Sequence, residues 1–204
     1  MIKPKLITEY PVAYESHDHI SPKGTSNDNT KNSNYRDELV ERFGKDMRYM
    51  DLGCAGGGFV SQFLEQEVFA VGLEGSDYCL KAKKDEWGYY PDYLFTCDIT
   101  KPFSILNSET DEVLLFDAIS AFDVFEHIPK EGLKQLLPSI FKHLKVGGIL
   151  ITGIATFSDG NYHTTVENED WWNETISEYG FKKAEKKLVH FGRETSLNLI
   201  YEKV

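Results

Sequence analysis

Four glycines and an alanine fall within the six positions from Gly53 to Gly58 of this 204-residue chain, in the run RYMDLGCAGGGFV. The run follows an apolar stretch that reads as a strand and precedes one that reads as a helix. Glycine inside regular structure costs stability, so bare backbone here points to something outside the chain that uses it. A strand, a glycine turn and a helix start would also leave free N–H groups and a positive dipole end facing that visitor.

The rest of the pattern says what kind of sheet carries the turn. NYRDELVERF places Leu39, Val40 and Phe43 on one helical face. Met47 to Leu52 reads as a strand, Gly57 to Gln66 as a helix, Val68 to Glu74 as a strand and Asp77 to Glu86 as a helix. A third strand is expected over Asp92 to Ile99 and a fourth over Phe116 to Phe125. Pro129 suits the first turn of a helix running to Leu144, in which Pro138 is a kink position. Val146 to Ile154 gives a turn and fifth strand, Asn168 to Phe181 a helix capped by Gly180, and Lys182 to Phe191 and Thr195 to Val204 two closing strands.

Strands alternating with helices imply an α/β fold: a Rossmann-like doubly wound sheet, mostly parallel with an antiparallel closing strand, and helices on both faces. Its ligand belongs at the C-terminal ends of the strands, where the strand order reverses. Residues 34–204 are expected to form this domain. Residues 1–33 read as a loop or lid, because Ser21 to Asn34 is rich in Ser, Asn, Thr and Gly.

Composition narrows the partner. A net charge of -11 and a pI near 5.0 make nucleic acid an unfavourable partner, and the basic run Phe181 to Lys187 reads as a solvated face. No apolar run approaches the roughly 18 residues of a membrane span, and the N-terminus lacks the pattern of a secretion signal. Cys54, Cys79 and Cys97 form no CxxC pair, which implies reduced core thiols and a cytoplasmic protein.

Three further acids sharpen the glycine motif. DLGCAGG fits an acid-x-Gly-x-Gly-x-Gly pattern through Asp51, Gly53, Ala55 and Gly57; Glu74 ends the second strand; Asp98 ends the third; and DVFEHI follows the fourth. In this order and spacing the segment from Asp51 to Thr152 resembles the class I S-adenosylmethionine-dependent methyltransferases, in particular the small-molecule branch that contains ubiquinone-biosynthesis-type enzymes. The resemblance implies that Asp51, Gly53, Cys54, Ala55 and Gly57 meet the methionine part of S-adenosylmethionine, with S-adenosylhomocysteine as product. It implies that Glu74, Gly75 and Ser76 meet the ribose, that Asp98 binds the adenine amine between Cys97 and Ile99, and that Phe122 lines the pocket. Ala55 replaces the commoner glycine; its methyl group is tolerable there if its φ is negative.

Methyl transfer to a hydroxyl requires a base near the ends of the fourth and fifth strands. His127 is the first candidate and His163, in the loop after the fifth strand, the second; Asp123 and Glu126 would hold cofactor or orient His127. No metal is expected: His17 and His19 read as surface residues, His143 as a charge at a helix C-terminus and His190 as structural. Of Trp171 and Trp172 at least one reads as core. The His163 loop, the Trp helix and Gly180-Phe181 are similar to methyltransferases of glycan-modification clusters, so a sugar or glycan precursor is the leading small-molecule acceptor. Three alternatives stay open: an NAD-dependent oxidoreductase, reading Gly53, Ala55 and Gly58 as a dinucleotide fingerprint; a non-catalytic cofactor-binding regulatory module; and a protein methyltransferase.

Overall fold

A computed structural model describes residues 2–185, 188–189 and 196–204. Seven strands form one sheet: β2 (Arg48–Leu52), β3 (Phe69–Glu74), β4 (Leu94–Thr96), β6 (Phe116–Phe122), β7 (Leu144–Ala155), β8 (Phe181–Lys183) and β9 (Ser196–Lys203). Their spatial order is β4-β3-β2-β6-β7-β9-β8, parallel except at β9, which runs antiparallel to both β7 and β8. The order reverses between β2 and β6, so the crevice beyond Leu52 and Phe122 is the switch point of the sheet.

The helices cover both faces. Met50, Leu52, Ile119, Leu150 and Trp172 pack on one side, with α6 (Lys130–His143) and α7 (Glu169–Ser177). Tyr49, Ala118, Ile149 and Ile151 point to the other, against α3 (Ser33–Phe43) and α4 (Gly58–Leu64). This alternation along single strands is what a sheet buried on both faces demands. α3 starts where Asn32 accepts a hydrogen bond from the Tyr35 N–H, and α6 passes through Pro138 without a break. Trp172 is wholly buried beside Phe125, as core spacing suggested for one member of the pair, and the three cysteines are buried and free.

Several elements differ from the sequence reading. The third strand shrinks to β4, and the helix after Asp77 shortens to α5 (Tyr78–Ala82), because Lys83 turns left-handed (φ +48°). β6 stops at Phe122 because Asp123 has φ +52°. β8 covers only the start of the first expected closing strand; 186–187 and 190–195, including His190, lie outside the described residues. Residues 1–33 are not plain loop: they contain β1 (Pro4–Thr8), α1 (His17–Ile20) and α2 (Lys23–Asn27). β1 pairs antiparallel with β5 (Phe103–Asn107) in a separate two-stranded sheet, from Pro4 opposite Asn107 to Thr8 opposite Phe103.

His143 corrects another expectation. It is fully buried, not a charged helix end: its Nε2 accepts from the Ile105 N–H (3.0 Å) and its Nδ1 donates to the Ser139 carbonyl (2.7 Å). The neutral ring thereby ties β5 to α6 and stacks on Phe103. Burial drives its pKa down to about 4. The unfolded chain, with histidine near 6.5, binds more protons than the folded protein as pH falls from that value toward 4. Stability from this residue is therefore complete above about pH 6.5 and lost toward pH 4, by about 3 kcal/mol in all. The stability advantage of wild type over His143→Asn, measured by urea unfolding, should shrink by an amount of this order across that range. An advantage that stays constant with pH would contradict the assignment.

Candidate active site

The glycine turn leaves β2 with Gly53 at φ +70° and enters α4 through Gly57 at φ +92°. A side chain at Gly53 would collide with Val124. Ala55 also lies at positive φ (+45°), so the condition of a negative φ is not met. It is pinned there from both sides: its N–H donates to Glu74 Oε2 (2.9 Å) and its carbonyl accepts from the Trp87 indole (2.8 Å). Fixed partners of this kind are what hold a residue in a strained conformation.

Much of the turn's backbone is already engaged. The N–H groups of Gly53 and Cys54 donate to the Leu73 carbonyl, Gly56 to the Asp28 carbonyl and Gly57 to Cys54, so with Ala55 five successive donors are taken inside the chain. The close approach that Gly56 and Gly58 permit is to the N-terminal segment. A Cβ at Gly58 would lie 2.5 Å from the Thr30 carbonyl oxygen and 2.6 Å from that of Asn29, and one at Gly56 2.7 Å from that of Asp28. Part of the glycine requirement thus comes from the chain itself, not from a visitor.

Around the turn the charges are negative and buried. Asp51 faces Ser120 across the β2–β6 ladder; Ser120 donates to Asp51 Oδ1 (2.5 Å) and sits 2.5 Å from the Tyr49 hydroxyl. Burial, with Asp28 and Glu74 nearby, raises the Asp51 pKa to about 7. Glu74, at the end of β3, accepts from the N–H groups of Ser76 (3.0 Å) and Ala55 and from Thr25 Oγ1 (3.4 Å). Burial raises its pKa too; the two N–H bonds oppose this and Asp18 adds to it. A site that holds carboxyls against burial and one another is relieved by a cation.

Of the residues expected to bind cofactor, Asp51, Gly53, Cys54, Ala55 and Phe122 line one cleft, with Asp28 and Thr30 of the N-terminal segment on its rim. Glu74 joins it through Ala55, and Ser76 through Glu74. The Gly75 carbonyl accepts from the Ala13 N–H (2.9 Å). Cys97 and Ile99 are buried, and burial pushes the Cys97 thiol to about 12. Asp98 Oδ1 accepts from the N–H and hydroxyl of Thr100 (3.0 and 2.6 Å), which fixes the turn after β4. Thr25, Asp28 and Trp87 were missed in the sequence, since nothing in their local pattern shows that they lie against the glycine turn.

A second group lies past Phe122. The Asp123 N–H donates to the Gly153 carbonyl (2.8 Å), and Phe125–His127 forms a single 3-10 turn. The Glu126 carbonyl accepts from the N–H groups of Thr164 and Thr165, and the Thr165 hydroxyl donates to the Ile128 carbonyl. These bonds draw the His163 loop onto the turn, leaving the His127 and His163 ring centroids 5.1 Å apart. Asp159 shapes the same loop by accepting from the N–H groups of Asn161, Tyr162 and His163, bonds that lower its pKa to about 2. His163 Nδ1 lies 2.6 Å from the Phe157 carbonyl. A carbonyl only accepts, so Nδ1 carries the proton and Nε2 the lone pair. His127 Nδ1 stands 3.0 Å from Asp18 of α1; burial pulls its pKa down, but Asp18 and then Glu126 outweigh that and the net shift is upward.

A sheet in this order, with acids closing β2 and β3 around a glycine turn at the switch point, defines a nucleoside-binding α/β enzyme. A family model described as a methyltransferase domain matches residues 26–204, and the chain belongs to that family, the class I S-adenosylmethionine-dependent methyltransferases. No curated protein matches its sequence. Solved structures share the fold at low identity. DesVI from Streptomyces venezuelae is 14% identical with TM-score 0.62, covering 84% of this chain and 91% of that one. CalS10 from Micromonospora echinaspora, an amino pentose methyltransferase with S-adenosylmethionine bound, is 14% identical with TM-score 0.58, covering 84% and 89%. The magnesium protoporphyrin IX methyltransferase ChlM from Synechocystis PCC 6803, with S-adenosylhomocysteine bound, is 15% identical with TM-score 0.60, covering 84% and 81%.

Two substitutions test the backbone account by urea unfolding. Ala55→Gly should stabilise the protein by about 1 kcal/mol, because glycine carries no penalty at positive φ. Gly58→Ala should destabilise it by about 1–3 kcal/mol, because the Thr30 and Asn29 carbonyls leave no room. Equal stability of both variants and wild type would contradict the close packing of residues 28–30 on the turn.

Proposed function

We propose that this chain transfers the methyl group of S-adenosylmethionine to a hydroxyl of a small molecule, with a sugar or glycan precursor as the acceptor class, and that it acts in the cytoplasm. The observation that carries the reading is the pairing of a glycine turn whose N–H groups from Gly53 to Gly57 are taken within the chain with two buried carboxyls. A pyrophosphate would meet few free donors in the turn and a negative field, whereas a sulfonium and an ammonium meet compensating charge. That pairing disfavours the dinucleotide alternative. An amino pentose methyltransferase among the proteins sharing the fold supports the acceptor class.

In this reading Asp51 holds the ammonium end, with Gly53, Cys54, Ala55 and Gly57 shaping the floor. Glu74 takes the ribose hydroxyls, with Gly75 and Ser76 beside it, and exchanges its Thr25 contact for them. Asp98, Cys97 and Ile99 frame the adenine, and Phe122, packed on Phe59, forms a wall. Residues 1–33 serve as a cover over the cofactor. Bound S-adenosylmethionine supplies a methyl carbon open to in-line displacement. His163 Nε2 accepts the acceptor's O–H proton while that oxygen forms the new C–O bond and the C–S bond breaks, its electron pair passing to sulfur. His127, held by Asp18, and Asp123, at the bend after β6, position the acceptor.

The cation reading makes binding depend on pH. Asp51, near 7, must be ionised to hold an ammonium, so affinity for S-adenosylmethionine should fall by up to roughly tenfold per pH unit below about 7. Calorimetric titration should show this in wild type, and weaker, pH-independent binding in Asp51→Asn. Affinity that does not change with pH in wild type would count against the role of Asp51. With S-adenosylmethionine and a panel of sugar nucleotides, His163→Ala should lower kcat by about 10²–10⁴; an unchanged kcat would remove His163 from the chemistry.

A further inference from the structure

Glu126 lies beside the proposed acceptor end, and the methyl-transfer reading gives its carboxylate no chemical step. Its side chain is wholly buried, Oε1 accepts from the Ala155 N–H (2.9 Å), and Oε2 has no hydrogen-bond partner among the described residues. Leaving a buried carboxylate oxygen unpaired costs about 1–3 kcal/mol or more, so the position calls for a missing partner. A carboxylate oxygen of Glu126 and one ring nitrogen each of His127 and His163 all lie within 4.8 Å of one another.

We infer that Glu126, His127 and His163 bind a divalent transition-metal ion. One carboxylate and two imidazoles form a borderline donor set that suits zinc-like ions and not magnesium or calcium. Three protein ligands leave an open coordination position, the arrangement of a catalytic and not a structural site. The supporting contacts are those a ligand set needs. The Phe157 carbonyl fixes the His163 tautomer so that Nε2 is the free donor. The Ala155 N–H holds the carboxylate, and Asp18 stands against His127. The Thr164 and Thr165 bonds to Glu126 lock the two ligand-bearing segments together. Bonds of about 2.0–2.2 Å would draw the donors in by side-chain rotation.

The inference rests on the reading of this end of the site as the acceptor end. There the ion binds the acceptor hydroxyl in its open position and lowers that group's pKa. The proton leaves to water, and His163 Nε2 then serves the metal in place of the proton it takes in the metal-free protein.

Chelator-stripped full-length protein should be titrated with Co²⁺ while its visible absorption is followed, and with Zn²⁺ by calorimetry. Wild type should take up one equivalent of each, with the Co²⁺ spectrum of nitrogen and oxygen ligation. Affinity should fall by about 100-fold or more in Glu126→Gln and in His163→Ala; the second variant alters a half-buried loop side chain and keeps the test open if the first fails to fold. Absence of uptake by wild type, or unchanged uptake by folded His163→Ala, would overturn the inference. Parallel titration with S-adenosylmethionine separates the two readings: metal uptake without nucleoside binding would sink methyl transfer and leave the ion site standing.

Discussion

The carboxylate of Glu74 is the contact on which the glycine turn depends. It is buried at the end of β3, yet three donors reach it from different parts of the chain: the strained Ala55 peptide, the Ser76 N–H and the Thr25 hydroxyl. A buried carboxylate is costly unless hydrogen-bonded, so each donor is held in place by what the others leave unsatisfied. Through Ala55 it fixes a left-handed residue in the glycine turn; through Thr25 it docks α2. The indole bond from Trp87 to the Ala55 carbonyl and the Gly56 N–H bond to the Asp28 carbonyl hold the same turn from other sides, with Ala55 at positive φ between them.

Glu126 plays the corresponding part at the other end. Its backbone carbonyl gathers Thr164 and Thr165, and its side chain receives Ala155 at the end of β7. The loop that carries His163 is therefore bound to the segment after β6 by main-chain bonds, with Asp159 organising its tip. Asp18 links the two ends: it faces His127 and also adds to the field on Glu74. The N-terminal segment thus reaches both the glycine-turn cleft and the His127–His163 loop, a coupling that the order of residues along the chain does not display.

What could be read from the sequence was what repeats locally. Short stretches rich in apolar residues before Gly53, Gly75 and Asp123 mark the parallel strands, and the acids near their ends mark Asp51 and Glu74, because position relative to a turn is a property of neighbours. The short strands β1 and β5 are not legible in the sequence: each has five residues, no glycine turn or strand-end acid marks it, and its ladder comes from pairing with the other about a hundred residues away. His143 was read as charged because the end of a helix is visible in a sequence and the Ile105 N–H that neutralises its role is not. The positive φ of Ala55 is hidden for the same reason: the partners that hold it, Glu74 and Trp87, lie 19 and 32 residues away. The pairing of Glu126 with His163 likewise arises from the fold and not from spacing.

The central claim is that Asp51, the glycine turn and Glu74 hold a sulfonium nucleoside. A crystal structure of the complex with S-adenosylhomocysteine tests it most directly. Ribose hydroxyls should lie on Glu74 in place of Thr25, the amino end on Asp51 and the adenine between Cys97 and Ile99. A complex in which Glu74 keeps Thr25 and the nucleoside lies elsewhere, or in which a phosphate-bearing ligand occupies the turn, would contradict it.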